Sequence, residues 1–449
     1  MPNQMSQLAE RDVKSLFHGQ TDARKLEATG PLVCVRAEGI NVFDEHGNGY
    51  IDTLASMWNV ALGYSEQRLI EGAKRQLETL PAFHSYYNRS HPPAIDLAER
   101  LTAMAPGGMS KAYFTNSGSE ANETAVKIVR FYNNALGRPE KKKIIARQQA
   151  YHGAGIFSGS LTGLKAIHEG FDLPSPGVLR TAFPYQYPAQ SNISEEEFAT
   201  SLAELLESLI LSEGPDTIAA FIGEPILGSG GVYPPPATYW EKVQAVLRKY
   251  DILLIVDEVI TGFGRTGPMF GSELYGLRPD LLVLSKQITS GYAALGAVLF
   301  TDEIYQVVAD YTSKLGTFGH AFTSGCHPVP IAIALETLDI IEERKILEHV
   351  QSIAPHFEER VRRFSTRGDV VDVRCVGLLA AIELRHPEGI GPGVISKKAV
   401  DIGTRHGLLL RASGNSIAIC PPLIITTSEL DTMFDRLEAT FDELASETT

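Results

Sequence analysis

Cysteine is scarce in this sequence, four among 449 residues, and Cys34, Cys326, Cys375 and Cys420 stand too far apart for CxxC spacing. That excludes a disulfide-stapled secreted scaffold and fits a reducing cytoplasm. Positive charge is short as well: 40 Lys and Arg stand against 54 Asp and Glu, a formal net charge of −14. Such a surplus repels nucleic-acid phosphate and anionic lipid, and the short basic run Lys141-Lys-Lys143 meets an apolar stretch at once. No apolar run is long enough to span a bilayer, and Met1 to Gln20 has no apolar core of the signal-peptide kind. Repeats and low-complexity segments are missing too. The expectation is a cytoplasmic protein without nucleic-acid or membrane partners and without a metal centre.

Hydrophobic residues at 44% and charged residues at 21% make an ordinary globular balance. A chain of this length exceeds what one core usually organises, so two domains with a cleft between them are expected, and clefts are where cofactors sit. Between Lys111 and Phe300 apolar runs alternate with helical patterns. The spacing predicts strands at 112–115, 143–147, 218–223, 252–257, 281–285 and 297–300, and helices at 119–134, 195–212 and 237–249. This is the pattern of an α/β fold, a mainly parallel sheet flanked by helices. After His327-Pro328, amphipathic patterns run over 331–346 and 347–364. Strand-like segments at 370–384 and 408–422, broken by Gly377 and Gly414, then predict a smaller α+β domain that also recruits the N-terminal stretch through Gly63. The expected division is 1–75 joining the small domain, 76–327 as the large domain and 328–449 as the C-terminal part of the small one.

Lys286 follows the apolar run Leu281-Leu-Val-Leu-Ser285, and Asp257-Glu258 end the preceding run. A lysine at the end of a buried strand must shed its charge or find a partner, which makes it a candidate amine nucleophile toward an aldehyde. The aldehyde cofactor that needs both a lysine and an acidic ring-nitrogen partner is pyridoxal 5'-phosphate. Adjacent strand residues point to opposite faces, so only one carboxylate faces a pocket, and Asp257 is the choice; both being solvated is the other reading. Thr115-Asn-Ser-Gly-Ser-Glu-Ala-Asn122 follows a strand and opens a helix, so the backbone N–H groups near Ser117, Gly118 and Ser119 form a seat for phosphate. A simple capping box of Ser117 with Glu120 accounts for the same residues. Tyr151-His152-Gly153 places an aromatic where it can stack on a flat ring or merely pack, and Glu224 in Gly223-Glu-Pro225 ends another strand near the same edge. Ligands in such sheets gather at the carboxyl ends of the strands, where Ser119, Tyr151, Glu224, Asp257 and Lys286 all fall.

A competing motif is Gly262-Phe-Gly264-Arg-Thr-Gly267, which matches the three-glycine dinucleotide pattern after a strand. In that pattern the glycines enter a helix directly, whereas here Glu258-Val-Ile-Thr261 intervenes and turn-like residues follow. A nicotinamide oxidoreductase is therefore the more distant alternative.

Five segments occur in order: Asn116-Ser-Gly-Ser-Glu-Ala-Asn-Glu-Thr-Ala-Val126, Ala150-Tyr-His-Gly153, Glu224-Pro-Ile-Leu-Gly-Ser-Gly-Gly-Val232, Leu254-Ile-Val-Asp-Glu-Val-Ile-Thr-Gly-Phe-Gly-Arg-Thr-Gly267 and Ser285-Lys-Gln-Ile-Thr-Ser-Gly-Tyr292. Together they resemble class III aminotransferases, the ω-aminotransferase group of fold-type-I pyridoxal phosphate enzymes, from about Leu16 to Pro422. The resemblance implies Lys286 as the lysine bound to the cofactor, Asp257 at the ring nitrogen, Val259 and Tyr151 on opposite ring faces, and Gly118 with Ser119 on the phosphate. His152 and Glu224 complete the set. It also implies a homodimer in which Phe322-Thr323 reach the phosphate across the interface; dimer and tetramer both stay open. Trp58 resembles the aromatic wall of the substrate pocket, with Tyr86-Tyr87 supplying another from the neighbouring chain, although all three also read as ordinary core aromatics. Arg411 matches an arginine that pairs with a substrate carboxylate and swings aside for amines; a surface arginine at a turn is the plain reading. Gln20, Ser229 and Thr323-Ser-Gly-Cys-His327 depart from the family pattern, all within reach of the substrate pocket.

The implied reaction is transfer of an amino group from a primary amine or ω-amino acid to a keto acid, pyruvate being the expected acceptor, in a ping-pong cycle. An aminomutase or a decarboxylating relative would use the same lysine and aspartate.

Overall fold

The computed structural model describes residues 5–187, 192–386 and 389–448. Its centre is a seven-stranded sheet in the order Met109–Thr115, Gly296–Thr301, Leu281–Leu284, Leu253–Asp257, Ile218–Gly223, Lys143–Arg147 and Val178–Thr181. Gly296–Thr301 is antiparallel to both its neighbours, while the other adjacent pairs are parallel. Two antiparallel pairings in succession leave Met109–Thr115 running with the rest, so its carboxyl end shares their edge.

The apolar runs are strands because both faces of the sheet are covered, and a strand buried on both sides reads as continuous hydrophobic sequence rather than alternation. Ile218–Gly223 and Leu281–Leu284 are buried throughout. Alternate residues serve different faces: Ile222, Ile255 and Val283 pack with Ala121, Ala125 and Ile128 of the Gly118–Ala135 helix. Phe221, Val256 and Leu282 belong instead to the larger cluster with Leu206 of Glu195–Glu213 and Trp240 and Leu247 of Tyr239–Lys249. Val178–Thr181 escaped the sequence reading because it is a four-residue edge strand carrying Arg180, too short and too polar for an apolar-run criterion.

Two four-stranded sheets complete the fold. Cys34–Glu38, Asn41–Asp44 and Gly49–Asp52 form a meander that Leu408–Leu409 joins in parallel. Val370–Val376, Leu379–Leu384, Ser416–Ile419 and Arg411–Ser413 form an antiparallel sheet. Both glycines expected to break these segments sit at φ near +60° in the hairpin turns, Gly377 at +61° and Gly414 at +56°.

The three-glycine segment opens no helix. Residues 262–267 form successive turns, and buried Arg265 donates to the carbonyls of Leu378 (3.2 Å) and Pro421 (2.6 Å). It is a joint between the large sheet and the antiparallel small sheet, which removes the structural basis for dinucleotide binding there. At this joint Gly377 lies against backbone: an added Cβ would stand 2.6 Å from the Thr266 carbonyl carbon and 2.7 Å from the Arg265 oxygen, in a left-handed conformation. Gly377→Ala is therefore expected to lower stability by more than about 1 kcal/mol, seen as a lower urea midpoint; an unchanged midpoint would show that the joint has slack.

Candidate active site

Four strand ends and one helix start meet at a cavity of about 220 Å³, lined among others by Gly118, Ser119, Tyr151, Asp257, Val259 and Lys286. Asp257 is buried at the end of Leu253–Asp257. Its Oδ2 accepts from His152 Nδ1 and from Asn122 Nδ2, both at 2.8 Å, and its Oδ1 from the Val259 N–H at 3.0 Å. Burial pushes the carboxyl pKa up, but the bonds and charge of His152, with Asn122 and the Val259 amide, outweigh it and leave the pKa below the usual value. A permanent carboxylate thus points into the pocket. Glu258 points the other way, as strand alternation requires, and its carboxylate takes the N–H groups of Gly271 (3.0 Å) and Ser272 (2.6 Å). Neither carboxylate is solvated.

Lys286 begins a short 3₁₀ turn after Leu281–Leu284 and is itself at φ +50°, a left-handed conformation that costs energy and aims the side chain into the cavity edge. The residue is partly exposed, and it lines the cavity, yet enough protein surrounds it that burial lowers its pKa to about 8 against the pull of Asp257 and Glu224. Its Nζ lies 6.0 Å from the centroid of the Tyr151 ring. An amine that loses its proton near pH 8 is a nucleophile and a proton carrier.

The Gly118–Ala135 helix shows that cap and anion seat coexist. Ser117 Oγ accepts from the Glu120 N–H (3.2 Å), and Glu120 Oε2 reaches back to the Asn116 N–H (2.8 Å). Among the described residues the N–H groups of Gly118 and Ser119 have no acceptor, so they remain for a bound anion at the positive end of the helix. Bareness at Gly118 matters because an added Cβ would lie 3.2 Å from both Val259 methyls, and Gly153, at φ +133°, would press its Cβ to 2.5 Å from Ser119 Oγ. Tyr151 and Val259 line the same cavity as this helix start, so the residues present fit a flat ring that carries a phosphate. Buried His152 Nε2 and Asn122 Oδ1 lack partners among the described residues, leaving polar capacity beside the Asp257 carboxylate.

Glu224 supports this cavity from behind. Its Oε1 accepts from the Tyr151 N–H (3.0 Å) and its Oε2 from the Gly228 N–H (2.9 Å), while burial raises its pKa. Arg411, on Arg411–Ser413, lies with its guanidinium 5.7 Å from the Trp58 ring centroid, and no carboxylate pairs with it among the described residues. Arg411 and Gln20 line a second cavity of about 790 Å³. Trp58 is 1% exposed, and its Nε1 is a buried donor with no partner among the described residues.

Other expected contacts are absent within one chain. Ser229 lines neither cavity within one chain; it is buried, and its carbonyl accepts from Ser413 Oγ at 2.5 Å. Phe322, Thr323, Tyr86 and Tyr87 also stand outside the cavity lined by Lys286. Tyr87 is 84% exposed, Thr323 is exposed, and the buried Tyr86 hydroxyl has no partner among the described residues.

Sequence reasoning missed Asn122, although it stands one helical turn after Gly118 inside the segment already singled out. It also missed Arg147, a fully buried guanidinium that donates to the Glu224 carbonyl and lies 5.0 Å from the Trp240 ring centroid.

The family model Aminotransferase class-III matches residues 23–441. The chain is 49% identical over 427 residues to a probable gamma-aminobutyrate transaminase 3, mitochondrial, of Oryza sativa subsp. indica, covering 92% of this chain and 84% of the relative. It is 49% identical to a gamma aminobutyrate transaminase 1, mitochondrial, of Solanum lycopersicum over 414 residues, 89% of this chain and 79% of that one. Among solved structures, the omega transaminase from Pseudomonas jessenii in complex with PMP superposes with a TM-score of 0.96 at 47% identity, covering 98% and 99% of the two chains. A transaminase with L-ala gives 0.91 at 50% identity over 93% of this chain and 100% of that one.

The lowered Lys286 pKa has a thermodynamic sign that can be measured in the cofactor-free protein. Below pH 8 the lysine is protonated folded and unfolded, and its burial is a full penalty; between about 8 and the ordinary 10.5 only the unfolded chain holds the proton, so the penalty fades as pH rises. Lys286→Met is expected to be more stable than wild type at pH 7, with the gap narrowing across that window in urea titrations. A gap that stays constant would contradict a lowered pKa.

Proposed function

The chain belongs to the class III aminotransferases, and from that membership we propose that it takes an amino group from an ω-amino acid or a carboxylate-free primary amine and delivers it to pyruvate or a similar small keto acid. It is a pyridoxal-phosphate-dependent transaminase. The observation that carries the reading is the pairing of a buried, ionised Asp257 with a Lys286 amine that loses its proton near pH 8, at one cavity with an open anion seat.

Pyridoxal phosphate, when bound, supplies an aldehyde that takes up the amino group and a ring that delocalises the electrons left when the substrate carbon loses its proton. Lys286 would hold the cofactor covalently at rest and, once displaced by the incoming amine, carry that proton between substrate and cofactor carbons. Asp257, kept anionic by His152 and Asn122, would hold a proton on the ring nitrogen. Gly118 and Ser119 would bind the phosphate through their free N–H groups, and Tyr151 and Val259 would confine the ring. Arg411 would grip the acceptor carboxylate, since its planar fork matches two carboxylate oxygens. That no carboxylate pairs with it among the described residues supports that role.

Phe322, Thr323, Tyr86 and Tyr87, all outside their own chain's cavity, are read as contributions to a second copy's site in a homodimer. The four cysteines, all unpaired, suit a reducing compartment such as the cytoplasm. The names of the plant relatives favour γ-aminobutyrate as a donor to test first, beside amines that lack a carboxylate.

Lys286→Ala is expected to lose the visible absorbance of lysine-bound cofactor and more than about a thousandfold in turnover, and Asp257→Asn to lose at least about a hundredfold while still binding cofactor. Wild-type rates in either variant, measured with a donor panel and pyruvate, would overturn the assignment. Arg411→Ala is expected to raise the KM for pyruvate about tenfold or more with a smaller effect on a carboxylate-free amine. Equal effects on both would make it a structural arginine.

A further inference from the structure

Arg374, on Val370–Val376, has a side chain 1% exposed and directs hydrogen bonds toward two separate bodies. Its Nε donates to the Gly231 carbonyl (3.0 Å), and its Nη2 donates to Ser416 Oγ (2.7 Å). Nη1 is shared by Asp372 (2.8 Å) and Glu383 (2.6 Å). The Tyr233 ring lies against the guanidinium with its centroid 4.3 Å away. Gly231 and Tyr233 belong to the loop that begins at Glu224; Ser416 belongs to the antiparallel small sheet.

Both connections lead to the site. On the sheet side, Ser416 pairs in register with Ser413, two residues from Arg411, and Ser413 Oγ donates to the Ser229 carbonyl of the same loop. On the loop side, Glu224 binds the N–H groups of Gly228 and Tyr151. With the Gly231 N–H donating to the Gly228 carbonyl at 3.1 Å, hydrogen bonds run from Glu224, which lines the cavity, through Arg374 to Ser416, whose strand pairs with the one that carries Arg411. A guanidinium suits this place because it is a rigid fork that stays charged and can satisfy several acceptors in fixed directions, which an ammonium on a flexible stem cannot do. The desolvation cost of a buried charge cluster offsets much of its attraction, so its presence is weak evidence of added stability.

We infer that Arg374 is a positioning residue for carboxylate recognition: it fixes the Arg411 strand against the Glu224–Tyr233 loop and so sets where the Arg411 guanidinium meets the acceptor. The inference rests on the reading of Arg411 given above. Arg374 touches no substrate and acts through Arg411, so its effect must disappear when Arg411 is gone.

The test is a double-mutant cycle on the cofactor-loaded enzyme with Arg374→Lys, Arg411→Ala and the combination, reading KM for pyruvate and for a carboxylate-free amine together with kcat. Arg374→Lys keeps the charge opposite Asp372 and Glu383 but loses the fork. It is expected to raise the pyruvate KM about tenfold, to leave kcat and the amine KM within about twofold, and to add nothing in the Arg411→Ala background. An equal rise in both backgrounds, an equal rise for both substrates, or no rise at all would overturn the inference. Ser416→Ala removes the acceptor of Arg374 Nη2 on the sheet side; it is expected to raise the pyruvate KM about threefold, and it decides the matter if Arg374→Lys does not fold. Should Arg411→Ala leave the pyruvate KM unchanged, the reading of Arg411 itself fails, and this inference falls with it.

Discussion

Opposite treatment of two charges at one sheet edge is the constraint on which the molecule depends. Asp257 and Lys286 end neighbouring strands, and both lie where burial disfavours ionisation. The fold gives the aspartate what the charged form needs, two side-chain donors and a backbone N–H, and among the described residues gives the lysine no comparable set. One stays ionised and the other is brought toward neutrality. The large sheet, with the carboxyl ends of all its strands but Gly296–Thr301 aligned, serves to bring residues from Ser117 to Lys286 to this edge.

Around that pair the supporting groups form layers whose connections are long in sequence. Asn122 reaches Asp257 across 135 residues, and Glu224 reaches Tyr151 across 73. Arg374 extends the same order to the small sheet, 143 residues from Gly231. None of these partners changes chemically in the proposed cycle, yet each removes freedom from a group that does. Restricting that freedom in advance is how a site avoids reorganising at the moment of reaction.

The legibility of this protein in its sequence follows from the range of the interactions involved. Lys286 and Asp257 could be read because each closes an apolar run, a local signal, and the sheet rule then gathers their neighbours at one edge. That pair pointed to the cofactor, and the resemblance of ordered motifs named the family. Long-range polar pairing left no local trace, so Arg147 and Arg374 passed unnoticed as two arginines among apolar residues. Ser229 was read for its side chain; the fold also uses its backbone oxygen, as the acceptor for Ser413 Oγ, a role no residue identity encodes. Val178–Thr181 was missed because an edge strand needs hydrophobicity least.

The cap at Ser117 has a consequence for the life of the enzyme. Because Ser117 and Glu120 satisfy groups that hold the helix start together, while the amides of Gly118 and Ser119 have no acceptor among the described residues, the socket's shape is inherited from the polypeptide and not imposed by its occupant. Release of the aminated vitamin derivative would then vacate a standing vessel, ready to be refilled without any folding step.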